Sequence, residues 1–275
     1  MADTLDFHHL LAEAAERLEP LPAAAVQLAS IIADPDTGPD EITEVLSTDP
    51  ALAAHVLREA NSAFSASQTP VGSLEQAVVR IGAARVLEVT IRGQLGDRLQ
   101  TQLDLYDLGG AERRKLAVGA ASAAAIISVM SPKTISRDVV CASLLHGIGM
   151  DVIDAVAEPA AADSLRQAGV SIHEMEHELV SADHAEVGGF VLRRWGLPAT
   201  LVDAVEHQLN PELGLEAAVV CLATDIASDE LFGEDLDPDP TAVAAVVTLG
   251  LEERIDDVRA RVHKALEDEG LLDDD

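Results

Sequence analysis

Short apolar segments with helical spacing, each bounded by proline or glycine, constrain the fold of this chain more than any other feature. Asp49-Pro50 opens one such segment, in which Leu52 and Val56 stand four residues apart. Gly-Pro-Asp-Glu at 38–41 opens another, since proline suits the first helical turn and acidic side chains favour the positive end of a helix. No stretch alternates apolar and polar residues over the length of a strand. The sequence therefore predicts an all-α fold.

The composition indicates how such helices pack. Hydrophobic residues make up 48% of the chain but aromatic residues only 2%, so Leu, Val, Ile and Ala must form the core. The alanine-rich segment KLAVGAASAAAIISVM (115–130) consists mostly of small and aliphatic residues that let helices approach closely. We expect it to form a central helix.

A chain of 275 residues can form one large domain or two modest ones. The best internal break is Gly109-Gly110, which predicts an N-terminal helical subdomain over 1–108 and a second over 109–270. The polar segment 61–72 and the acidic segment 229–240 are predicted loops and candidate regulatory surfaces. The last helix, LEERIDDVRARVHKALEDE (251–269), is predicted to be largely solvated because it alternates acidic and basic residues at helical spacing.

The charge of the chain disfavours two classes of partner. It has 18 basic and 49 acidic residues, a net charge of −31. Such a surface repels phosphate backbones and anionic lipids, so we expect neither nucleic acid nor a membrane as a partner. A solubility role or a salt-adapted host explains the acidity equally well.

The sequence also indicates the cellular compartment of the protein. Cys141 and Cys221 lie in separate apolar segments and suggest neither a disulfide framework nor a metal motif. The N-terminal residues MADTLDFHHLL lack the basic and apolar regions of a signal peptide. No apolar run reaches the ~18 residues of a membrane span. These features favour a cytoplasmic protein.

Five segments, taken in order, resemble the HDOD family (HD-related output domain). The first segment (18–64) contains the motifs Leu21-Pro22, DPAL (49–52) and ANSAF (60–64), and the second is SLEQAVVRIGAARV (73–86). The second half contributes a further set that matches family landmarks: ASLLHGIG (142–149), DHAEVGGFVLRRWGLP (183–198) and VEHQL (205–209). The resemblance spans roughly residues 15–230 of the chain.

The resemblance implies an N-terminal helical bundle packed on a degenerate bundle similar to HD-type phosphohydrolases. HDOD proteins are bacterial signalling outputs that are thought to lack catalysis themselves. In HD enzymes, histidines and aspartates hold divalent ions that activate water against a phosphate. The resemblance therefore raises the question of whether a metal site survives here.

The HD-like positions are incomplete in this chain. His146 matches the histidine of the His-Asp pair, but Gly147 stands where the ligand aspartate is expected. Three further residues, His184, His207 and Asp225, fall where later ligands are expected. We therefore predict no catalytic residues, no cofactor and no bound metal, with these four residues as vestiges. One intermediate hypothesis is a hydrogen bond from His146 or His207 to Asp225, because a buried aspartate needs a partner.

A second group of histidines lies outside these positions. His173 and His177 are four residues apart in IHEMEHE and resemble a surface metal pair. We interpret them as part of an exposed polar helix face, which is the more common use of such a pattern.

The predicted function is that of a non-catalytic bacterial signal-transduction output or scaffold module. It would act by protein–protein interaction with signalling proteins, through a groove between the bundles or an exposed apolar patch, with homo-oligomerisation left open. One alternative is a metal-dependent HD-type phosphohydrolase or phosphodiesterase. The other is a nucleotide second-messenger sensor, for which Arg80, Arg85 and Arg92 are the obvious phosphate donors.

Overall fold

A computed structural model describes residues 2–34, 36–62, 70–96, 98–233 and 239–272, with side chains described from residue 10 onward except at residue 98. Over these residues the chain is all-α, which confirms the predicted fold class. They contain no strand, and the single β-bridge joins Leu103 to Leu108.

The first half contains five helices, whose bounds are α1 Ala2–Arg17, α2 Ala23–Ile32, α3 Pro39–Ser47, α4 Pro50–Ala60 and α5 Leu74–Leu95. The side chain of Asp49 accepts hydrogen bonds from the backbone N–H of Ala51 and Leu52 at the start of α4. Ser73 caps α5 in the same way, accepting from the N–H of Gln76. The prolines and caps seen in the sequence thus begin these helices.

The second half contains ten helices among the described residues. Their bounds are α6 Gly110–Met130, α7 Val139–Leu145, α8 Ile148–Val156, α9 Pro159–Gln167, α10 Ile172–Val180, α11 His184–Arg194, α12 Ala199–Glu206, α13 Leu215–Phe232, α14 Pro240–Leu249 and α15 Ile255–Asp268. Short 3₁₀ turns at Arg98–Gln100 and Asp104–Tyr106 lead from α5 into α6, and a third at Pro211–Leu213 precedes α13.

The alanine-rich helix α6 is central to the second half, as its composition predicts. Its buried side chains are mostly alanines, and it packs against α7, α13 and α15. Gly110 lies so close to the carbonyl of Gln100 that a Cβ there would meet it at 1.9 Å. A glycine is therefore required where the connector turns into α6.

The core is one continuous cluster of aliphatic side chains that draws on both halves. Helix α5 of the first half packs against α7 of the second, and α1 packs against α8. The subdomain boundary at 108/109 remains a prediction.

One predicted loop was too long, and one helix was missed. Residues 229–232 belong to α13, and Pro240 begins α14, so the predicted loop 229–240 is shorter at both ends. Helix α14 was not predicted at all. Most residues of the last helix, α15, are exposed, as predicted, and Val258, Val262 and Leu266 are its buried residues. The central residues of the two candidate loops, 63–69 and 234–238, lie outside the described residues.

One segment meets the length and composition of a membrane span, contrary to the expectation from sequence. Residues 139–156 have a mean hydropathy of 1.6 over 18 residues. They form two short helices, α7 and α8, and 67% of the segment is buried inside the fold. Core helices pass the same test, so the segment is weak evidence for a membrane.

Candidate functional site

Three of the four HD-like residues line one cleft in the second half. The cleft has a volume of about 900 Å³ and is bounded by residues of α6, α8, α10, α11, α13, α14 and α15. His146, His184 and Asp225 line it, whereas His207 does not. His207 lies at the end of α12, where its Nδ1 is 3.0 Å from the carbonyl oxygen of Asp203.

His146 is buried where α7 ends. Its Nδ1 donates to the carbonyl of Ser143 at 2.8 Å, so Nε2 of the neutral ring carries the lone pair. Burial lowers the pKa of His146 to about 4, and nearby His184 and Arg113 act in the same direction. The ring is therefore neutral at pH 7.

Gly147, which follows His146, offers no ligand, and the carboxylate of Asp151 on α8 is already paired with an arginine. Gly147 precedes α8 with φ −90° and ψ 10° and has no side chain to bind an ion. Asp151, one turn further along α8, could in principle replace the missing carboxylate. Instead it forms a buried ion pair with Arg113 of α6.

Asp225 is bound by an arginine and not by a histidine. Arg259 of α15 lies 3.3 Å from Asp225 and 2.7 Å from Asp229. Burial and the adjacent Asp229 raise the pKa of Asp225 to about 6, although Arg259 opposes the rise. Among the described residues no hydrogen bond joins Asp225 to His146 or His207, so the proposed His–Asp relic is not formed.

The structure instead brings His173 and His184 close to the buried carboxylate of Glu176. Glu176 is fully buried on α10, and its oxygens lie 3.0 and 3.1 Å from Nδ1 of His184. The hydroxyl of Tyr106 donates to it at 2.7 Å. Burial alone would raise the pKa of Glu176, but the nearby His173 and the hydrogen bonds from His184 and Tyr106 hold it at about 2.

His173 lies at the open side of this cluster. Its ring stacks on that of His184 with centroids 5.7 Å apart, and its Nδ1 is 3.9 Å from Glu176. Residue 173 lines the cleft, while His177 faces Asp183 at 4.0 Å and does not. The two histidines of α10 therefore do not act as a pair.

Sequence reasoning missed Glu176, although a signal was present. Glu176 is four residues from both Ile172 and Val180, which places it on the face of α10 that carries apolar residues. A charged residue at such a position needs partners in the interior. Tyr106, the only tyrosine of the chain, could not be paired with it from sequence because the two lie 70 residues apart.

A second groove lies between the two halves. Two adjoining cavities of about 500 and 540 Å³ share Glu59, Arg85 and Glu269. They contain five basic residues, Arg80, Arg85, Arg92, Arg114 and Lys115, and three glutamates, Glu59, Glu88 and Glu269. This basic groove stands out in a chain with a net charge of −31.

Comparison with known proteins decides the family. Residues 18–211 match the family model of the HDOD domain, which covers more than half of the chain. The chain belongs to the HDOD family. The resemblance inferred from the five sequence segments is thereby confirmed.

Solved structures agree with this assignment. An HDOD domain protein of unknown function from Geobacter sulfurreducens superposes with a TM-score of 0.67 at 22% identity, covering 93% of this chain and 97% of that one. A Marinobacter aquaeolei VT8 protein, provisionally named a signal transduction protein, gives 0.69 at 21% identity, covering 98% and 66%. At these identities the similarity shows the fold alone.

A curated relative is similar to the chain at a comparably low identity. An uncharacterized protein of Treponema pallidum (strain Nichols) is 24% identical over 218 residues, which are 73% of this chain. The HDOD chain spans only 40% of the length of that relative.

Proposed function

We propose that this HDOD chain is a non-catalytic signalling output module that works by binding another protein. The observation that carries the proposal is Gly147, which stands where an HD enzyme needs a metal-bridging carboxylate. The backbone at Gly147 has ordinary angles, and a Cβ there would meet only the sulfur of Met150, at 3.4 Å. Backbone strain therefore does not explain the glycine.

The surroundings of Gly147 support the same proposal. His146, His184 and Asp225 do not form a group of three whose ligand atoms lie within 4.8 Å of one another, among the residues described. Arg259 neutralises Asp225, and an arginine competes with a cation for that carboxylate. A two-metal centre of the HD type would need these groups to converge.

We assign partner binding to the basic groove and propose an acidic segment of a partner protein as its occupant. Arg85 and Arg92 lie on α5 and form ion pairs with Glu59 and Glu88. Arg114 is exposed where the groove opens. Charge complementarity gives specificity and speeds association, so an acidic segment fits this surface better than a basic or apolar one.

Charge reversal at the groove tests this proposal. Arg114→Glu should abolish recovery of a partner from a lysate of the host cell when the full chain is used as bait. Arg261→Glu, on the exposed side of α15 and outside the groove, is the matched control because it changes the charge equally. A protein retained by wild type and Arg261→Glu but lost with Arg114→Glu supports the proposal. Equal recovery by all three chains contradicts it.

The nucleotide-sensor alternative is less well supported. Arg85 and Arg92 already pair with glutamates, and Arg80 donates to the carbonyl of Ala60 at 3.2 Å. A phosphate at Arg85 or Arg92 would have to displace these contacts, and so would a carboxylate, so the acidic segment is assigned to the exposed Arg114 at the opening of the groove. Among the described residues that line the groove, none is an aromatic side chain on which a base could stack.

A further inference from the structure

The chemistry of the cluster formed by His173, Glu176 and His184 is that of a cation site. The three side chains offer two imidazole nitrogens and one carboxylate oxygen, and these atoms lie within 4.8 Å of one another. Two histidines and one glutamate form the ligand set of several open zinc sites in enzymes. The cluster uses His184 of the HD-like positions, but neither His146 nor Asp225.

The distances fit a tetrahedral ion. Zinc bonds to nitrogen and oxygen of about 2.0–2.2 Å require ligand atoms roughly 3.3–3.6 Å apart. The separations from Glu176 are 3.0 Å to His184 and 3.9 Å to His173, on either side of that range. Shifts of about a few tenths of an ångström, His173 toward Glu176 and the His184 ring away from it, would bring both separations into that range.

The charge and surroundings of the cluster also favour a cation. Glu176 is a fully buried carboxylate, and Asp239 lines the same cleft. Tyr106 holds the carboxylate in place, which is how outer contacts orient metal ligands in proteins. His173 is 51% exposed at its side chain, so an ion could enter from the cleft.

We propose that His173, Glu176 and His184 bind one divalent transition-metal ion, such as Zn²⁺, with its remaining position open to the cleft. The inference goes beyond the proposed signalling function and needs no hydrolysis. The ion would tie α10 and α11 to Tyr106, which lies in the connector between the two halves. It would thereby give the module a metal-sensitive contact at the joint.

Zinc titration of the full chain, prepared without a histidine tag or chelator, tests this proposal. Calorimetry at pH 7.5 should show one ion per chain, and Co²⁺ should give the intense visible absorption of a tetrahedral site. His173→Ala should weaken binding at least about tenfold, since even outer contacts of metal ligands are worth that much. The half-exposed position of His173 leaves the fold intact in this variant.

Two matched variants make the result decisive. His177→Ala removes an equally exposed histidine from the same helix and should leave zinc binding unchanged. His207→Ala tests the surface group of Asp203, Glu206 and His207, which could also attract an ion. Absence of stoichiometric binding, binding undiminished by His173→Ala, or binding lost only in His207→Ala would each overturn the proposal.

Discussion

Two glycines at the start of α8 have opposite steric surroundings. Gly147 has open space apart from the flexible side chain of Met150. A Cβ at Gly149 would lie 2.0 Å from the carbonyl oxygen of His184 and 2.6 Å from the backbone nitrogen of Gly188. Gly149 therefore lets α8 approach α11 and positions His184 at the cleft, whereas Gly147 is not required by packing.

We therefore predict different effects for the two alanine variants. Gly147→Ala should change the free energy of unfolding by no more than about 1 kcal/mol. Gly149→Ala should lower it by at least about 2 kcal/mol, because backbone atoms of α11 cannot rotate away. Urea unfolding, followed by the fluorescence of the single, buried Trp195, measures both. Equal losses in the two variants would refute this assignment of roles.

His146 should make stability depend on pH. Its pKa is about 4 in the folded chain, against about 6.5 when unfolded. The unfolded chain thus binds the proton first, and folding loses roughly 3 kcal/mol as the pH falls from 6.5 to 4. Asp225 acts in the opposite direction, since its folded pKa is raised to about 6.

Comparison with His146→Gln separates these two contributions. Glutamine does not titrate, so the stability difference between wild type and variant isolates His146. We expect the wild type to lose stability relative to the variant by roughly 3 kcal/mol between pH 7 and pH 4, measured by urea unfolding. A difference that stays constant over this range would show that His146 is not held neutral by burial.

At the scale of whole elements, helix starts were predictable where proline and a capping side chain coincide. Asp49-Pro50 was recognised in the sequence, but the same device at Asp239-Pro240 was assigned to an acidic loop. In the structure the side chain of Asp239 accepts from the N–H of Thr241 and begins α14. The error arose because acidic composition was given more weight than the local capping signal.

Helix α5 contains a break at Gly82 that the sequence indicates only in outline. Helical structure runs from Leu74 to Leu95, yet Gly82 has φ 79° and ψ 160°, outside the helical region. The glycine in LEQAVVRIG predicts two successive helices here, and the kink at Gly82 separates them. The break orients Arg85 and Arg92 toward the groove between the halves.

Gly82→Ala should therefore be costly for reasons of backbone conformation alone. No atom lies within 4 Å of a Cβ placed there, so steric overlap with neighbours is absent. Angles of this kind are nearly exclusive to glycine, and we expect a loss of about 1–3 kcal/mol. Gly72→Ala, equally open and without a positive φ, is the control and should be nearly neutral in thermal unfolding. Similar losses in both variants would contradict this explanation.

For the whole molecule, the sequence was sufficient for the fold class and the family but not for the geometry of the cleft. Residues that carry helical periodicity and motifs, such as His146 and His184, could be placed in advance. The partners of buried charges could not, because Arg259 reaches Asp225 from 34 residues away and Tyr106 reaches Glu176 from 70. Such contacts depend on tertiary packing, which local patterns do not encode.

The central claim is that the cleft does not hydrolyse phosphate esters, and one measurement tests it most directly. Hydrolysis of bis(p-nitrophenyl) phosphate is followed with the full chain in the presence of Mn²⁺, Fe²⁺ or Zn²⁺, beside its His146→Ala variant. We predict rates for both chains that equal the metal-only background, even when an ion is bound at His173. Metal-dependent turnover by the wild type that disappears in His146→Ala would contradict the claim and establish a hydrolase.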